Sequence, residues 1–133
     1  MKISHESPLA LLNQSRYYND YDYAMVHLFE SEPTYLQFFK DSLAKGRHVI
    51  LDNSIFELGT SFNGATYQNW IEKLNPTWYI VPDVLEDTDA TLKSLDSWLS
   101  KYDMPPGVKS IGVIQGKTYE DLVRCYKEIA PRV

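Results

Sequence analysis

A short apolar run followed by an amphipathic one occurs four times along this chain, and that alternation restricts the fold more than any other feature. Tyr23 to Phe29, Arg47 to Asn53, Trp78 to Val81 and Ser110 to Ile114 are brief and rich in aromatic and β-branched residues, the pattern of buried strands. Between and after them the apolar spacing turns helical. Pro33 to Lys45 puts Leu36, Phe39 and Leu43 on one face, with Pro33 suited to the first turn and Gly46 to the stop. A helix capped by Thr66 runs through Trp70 and Leu74 and ends at Asn75-Pro76. Another, capped by Asp87 or Thr88, carries Leu92, Leu95, Trp98 and Leu99, and a last one opens at Thr118 and carries Leu122, Cys125, Tyr126 and Ile129. Such alternation predicts a parallel sheet with right-handed crossovers. The expected fold class is α/β: a partial (β/α) barrel of the TIM type with about four βα units, the alternative being a small open parallel sheet. A complete eight-unit barrel takes about 200 residues or more, and this chain has 133. Residues 1–133 read as a single domain in which segment 1–20 is irregular, a loop or a short hairpin.

Composition narrows the function classes. The chain is 44% hydrophobic and 14% aromatic, enough apolar surface to argue against disorder. Its net charge is −5 and it has no basic run, which argues against a protein that holds nucleic acid through phosphate contacts alone. A nucleic acid would have to be met through a local site or with the help of another chain. The single cysteine, Cys125, excludes an intramolecular disulfide and a cysteine zinc cluster. It lies on an apolar helix face and reads as packing. The N-terminus has no signal core, and no stretch approaches the roughly 18 apolar residues of a membrane span. A cytoplasmic protein without metal or cofactor is the expectation.

In parallel α/β folds ligands bind at the carboxyl ends of the strands. The residues there are His27 after the first strand, Asp52-Asn53-Ser54-Ile55-Phe56-Glu57 after the second, Pro82-Asp83 after the third and Gln115-Gly116-Lys117 after the fourth. Asp52, Asp83 and Gln115 therefore occupy equivalent places on successive strands. Two carboxylates accept from N–H donors, a carboxamide both donates and accepts, and the Phe56 ring offers a stacking surface. That set suits a purine base. Each member also has a structural use: Asp52 can order the loop that follows it, Asp83 can cap a helix near Thr88, and Phe56 can be core. His27 reads as a core histidine at a strand end, and Tyr17, Tyr18, Tyr21 and Tyr23 as packing or interface residues.

The wording of three of these strand ends carries a resemblance. Ile50-Leu51-Asp52-Asn53-Ser54-Ile55-Phe56-Glu57 resembles the Asp-Ser-Gly-Gly-Phe/Tyr segment of the tRNA-guanine transglycosylases. Ile111-Gly112-Val113-Ile114-Gln115-Gly116, followed by Thr118-Tyr119-Glu120-Asp121-Leu122, is similar to that family's Phe-Gly-Ile-Val-Gln-Gly-Gly segment and its following helix. Val81-Pro82-Asp83 falls where the family carries a base-reading Asp. The phrases Asp52 to Gly59 and Pro82 to Thr91 are similar to the divergent phage and bacterial branch associated with inserting 7-deazaguanine bases into DNA.

This resemblance implies the N-terminal half of a barrel enzyme that exchanges guanine for a 7-deazaguanine, such as a queuosine precursor, in tRNA or DNA. The exchange passes through a covalent sugar–enzyme intermediate. Asp52 would be the catalytic acid/base carboxylate. Asn53, Phe56, Asp83, Gln115 and Gly116 would bind the base: Phe56 by stacking, Asp83 on the N–H edge, Gln115 with the Gly116 backbone on the carbonyl edge. The family's nucleophilic Asp and its zinc ligands lie on later strands and have no counterpart here. Ser54 and Ile55 replace its two glycines, and Lys117 stands where a second glycine follows its glutamine. A homodimer, or a second chain, would complete the barrel. The alternatives are a non-catalytic purine-binding or partner subunit and an unrelated small α/β interaction domain.

Overall fold

The computed structural model describes residues 1–133. Four short strands form one all-parallel sheet: β1 (Asp22–Met25), β2 (Val49–Asp52), β3 (Trp78–Ile80) and β4 (Lys109–Ile111), in the spatial order β1-β2-β3-β4. The sheet is open and does not close into a barrel. A doubly wound sheet reverses its strand order at a switch point; here each strand pairs with its sequence neighbour throughout. Crossovers of one hand in that order carry the connecting helices to the same side.

Helices fill every connection. After a 3-10 turn at Leu9–Leu11 come α1 (Leu12–Ser15), α2 (Leu28–Ser31), α3 (Pro33–Ala44), α4 (Ile55–Leu58), α5 (Gly64–Leu74), α6 (Thr88–Lys101) and α7 (Tyr119–Ile129). No helix is long and apolar enough to cross a membrane. Segment 1–20 holds helical turns and no hairpin. The first strand is shorter than its apolar run, because Leu28 and Phe29 belong to a buried helical turn. Phe29 packs there with its ring 5.4 Å from both Tyr35 and Trp70. A continuous apolar run does not by itself separate strand from buried helix. The cap of α5 is Asn63, not Thr66: the Asn63 side chain accepts from the Thr66 N–H at 3.2 Å. Asp87 caps α6, and Thr118 with Asp121 forms a capping box on α7.

The core lies between sheet and helices. Ala24, Val49, Leu51 and Tyr79 of the strands meet Tyr35, Phe39, Tyr67, Ile71, Leu95, Trp98, Cys125 and Ile129. Its tyrosines also serve the backbone. The Met25 N–H donates to the Tyr35 hydroxyl at 2.9 Å, and the Tyr67 hydroxyl lies 2.8 Å from the Ile80 carbonyl and 3.1 Å from that of Leu51. These phenols satisfy strand groups from inside an apolar layer, where an unpaired one would cost about 1–3 kcal/mol. The other face of the sheet is only partly covered. Tyr23, Ile50, Trp78 and Lys109 lie in register across it, and Asp52, Ile80 and Ile111 share it one step towards the carboxyl ends.

Candidate functional site

The carboxyl ends of the four strands carry two hydrogen-bonded groups. The first joins β2, β3 and β4. Asp83, three residues past β3, is only 1% exposed. Its Oδ1 accepts from Asn53 Nδ2 at 2.7 Å and its Oδ2 from Gln115 Nε2 at 2.6 Å. Asn53 is itself fully buried; Nδ2 also donates to the Val81 carbonyl at 2.9 Å, and its Oδ1 accepts from the Ile55 N–H at 3.0 Å. Gln115 Oε1 accepts from the Glu86 N–H at 2.9 Å. Every side-chain polar group of this trio has a partner, as a buried carboxylate requires.

The second group joins β1 and β2. Asp52, the last residue of β2, accepts from the Tyr23 hydroxyl at 2.6 Å through Oδ2 and from the Ser54 N–H at 2.6 Å through Oδ1. Burial raises the Asp52 carboxyl above the ordinary range, against the two donors, which pull it down. The same burial, together with the Asp52 carboxylate, pushes the Tyr23 phenol well above its usual value. The proton between them therefore stays on the phenol. Ser54 is fully buried and has a left-handed backbone, φ 58°. Its hydroxyl lies 2.8 Å from His27 Nδ1.

Two of the strand-end residues singled out in the sequence thus meet directly, Asp83 and Gln115, with Asn53 as the third partner. Asp83 caps no helix; Thr88 instead donates to the Gln115 carbonyl at 2.6 Å. Asp52 belongs to the neighbouring group and shares no hydrogen bond with Asp83 or Gln115. The two groups are joined through the Asp52-Asn53-Ser54 backbone. Phe56 is 82% exposed in α4, neither core nor stacked on another ring. Gly116 has a packing reason to be glycine: a Cβ there would stand 2.7 Å from Asp121 Cβ and 3.1 Å from the α7 backbone. Its N–H makes no hydrogen bond within the chain. Cys125 packs in the core and accepts from the Gln115 N–H at 3.3 Å.

The larger surface clefts lie elsewhere. One of about 470 Å³ is lined by Ser61, Phe62, Lys93, Trp98 and Tyr102 among others, and none is lined by Asp52, Asp83 or Gln115. A planar ligand reaches Asp83 only if Gln115 lets go of it. No group of three or more His, Cys, Asp or Glu side chains is placed to hold a metal ion. The sequence reading passed over Tyr23 and Ser54 and took His27 for core. The signal for Tyr23 lay in the strand register. Tyr23 and Asp52 sit on the same face of adjacent strands, offset by two residues, a diagonal that a long phenol spans. Comparison with protein-family models, with curated proteins and with solved structures finds no match to this chain.

Proposed function

We propose that the strand ends form a purine-base site and that the chain is part of a guanine transglycosylase-like base-exchange enzyme acting on tRNA or DNA in the cytoplasm. The observation that carries the reading is the Asp83–Gln115 pair beside Asp52, on three successive carboxyl ends of a sequentially ordered parallel sheet. A guanine or 7-deazaguanine presents N–H donors beside a carbonyl. Asp83 accepts from the donors once Gln115 releases it, and the freed Gln115 amide and the Gly116 N–H donate to the carbonyl. Phe56 covers the base face. Asp52, its carboxyl raised by burial, is suited to taking up and returning a proton near neutral pH.

Exchange through a covalent intermediate also needs a nucleophilic carboxylate, which this set does not supply. In this reading a second copy or a second chain closes the sheet and brings it. Without such a partner the same site would be a non-catalytic base-binding subunit. Calorimetry on the folded protein with guanine and with 7-deazaguanine tests the reading. Binding that Asp83→Ala abolishes and Asp52→Asn retains is the expected result. A folded wild type that binds neither base would leave the Asn53–Asp83–Gln115 trio with a purely structural role.

A further inference from the structure

We propose that His27 is a specificity-determining residue of this site, a hydrogen-bond donor that reads N7 of guanine and finds no acceptor in a 7-deazaguanine. The inference rests on the base-site reading above and goes beyond it by assigning a residue and an atom.

The case starts from the Ser54 hydroxyl. Its oxygen receives the His27 backbone N–H at 3.3 Å and lies 2.8 Å from the His27 Nδ1. A hydroxyl has one proton to give, and no other acceptor stands within reach of this one. Ser54 therefore donates to Nδ1, and the neutral imidazole carries its proton on Nε2. Nε2 has no partner in the chain, yet it is not among the buried polar atoms left without one. It is a donor facing outward with its tautomer set from behind.

Ser54 itself is fully buried, so its hydroxyl is not a nucleophile. It is also one of three non-glycine residues with positive φ, a conformation that costs an ordinary residue about 1–2 kcal/mol. Backbone strain of this kind is retained where the surroundings fix it, and here the turn serves two strand ends. The Ser54 N–H holds Asp52, and the Ser54 hydroxyl holds His27. One residue thereby sets both the acid/base carboxylate and the imidazole.

Chemistry then selects the ligand atom. Guanine has acceptors at N7 and O6, whereas a 7-deazaguanine has a C–H in place of N7. A fixed N–H donor gains a hydrogen bond from the first and is left unpaired by the second. The difference corresponds to about tenfold in affinity.

Two measurements on the whole chain test this. In calorimetry His27→Ala should weaken guanine by about tenfold and change 7-deazaguanine by less than about twofold, and His27→Gln, which keeps a donor, should recover part of the guanine affinity. Equal losses for both bases, or none for either, would overturn the role of His27 and leave the base site standing. A folded wild type that binds neither base would overturn both. Nitrogen-15 NMR of the histidine ring should show Nδ1 without its proton, and Ser54→Ala should turn that single tautomer into a mixture. A protonated Nδ1 in the neutral wild-type ring would refute the assignment whatever the bases do.

Discussion

Replacing Asn53 tests whether the trio at the strand ends is one energetic unit. Asn53→Ala removes a side chain that is fully buried and makes three hydrogen bonds. It strands a carboxylate oxygen of Asp83, the Val81 carbonyl and the Ile55 N–H. Each buried group left unpaired costs about 1–3 kcal/mol, more for the charged one. With partial relaxation of the loop the expected loss is about 3–5 kcal/mol, near the upper end for a single substitution. The Asp83 share can be isolated with a double-mutant cycle. In an Asp83→Ala background Asn53→Ala no longer strands a carboxylate, so the two losses should fall short of their sum by about 1.5–3 kcal/mol. Urea unfolding followed by the fluorescence of Trp70, Trp78 and Trp98 gives all four stabilities, provided the m-values agree. Losses that add to within about 0.5 kcal/mol would show that the 2.7 Å contact between Asn53 and Asp83 carries no coupling, and the reasoning from that geometry would fail.

Asp52→Asn bears on pH. The folded Asp52 carboxyl is raised by burial, so ionising it weakens the fold as pH climbs from the ordinary carboxylate value of about 3.9 through the raised folded one. Relative to wild type the Asn variant should therefore gain stability across that window, and urea titrations at a series of pH values should show the two curves converging or crossing; parallel curves would deny the shift. Arg47→Ala should cost about 3–5 kcal/mol, because it leaves the Asp22 carboxylate, 2% exposed, without the guanidinium that meets it at 2.9 Å through both Nε and Nη2; a loss below about 1 kcal/mol, the range of exposed pairs, would contradict that burial. Gly116→Ala should destabilise by about 1–3 kcal/mol through the close approach of α7, seen as a lower Tm, and an unchanged Tm would mean that the turn yields freely.

Much of the architecture is legible because it depends on local signals. Pro33 opens α3, Asp87 and Thr118 cap their helices, and the repeated strand-helix unit sets a parallel sheet. What the sequence does not decide alone is whether such a sheet continues round to a barrel, since four units are common to both outcomes. Asn63 and Thr66 are three residues apart and both are capping types, so their order of use is fixed only by the backbone of the preceding loop. The strand ends are likewise legible as positions. Asp52, Asp83 and Gln115 fall at equivalent steps of successive units. Partner choice among them is not, because it depends on which way each side chain leaves the backbone after the strand has stopped. Asn53 and Asp52 are adjacent and point into different groups, one towards Asp83 and the other towards Tyr23.

That division bears on how a site can exist where every polar atom already has a partner. Opening the Asp83–Gln115 contact on its own would leave a charged oxygen unpaired, a state too costly to be much populated. Arrival of a base changes the count. Its N–H takes the place of the Gln115 amide on Asp83, and the displaced amide, with the idle Gly116 N–H beside it, finds the base carbonyl. Hydrogen bonds lost and made are then equal in number, and stacking on exposed Phe56 remains as the net gain, roughly 1–3 kcal/mol. Asn53 does not move in this exchange, since its bonds to Val81 and Ile55 hold it from the other side. It keeps Asp83 aligned while Gln115 swings, which gives the two amides on one carboxylate different duties: one fixed, the other exchangeable.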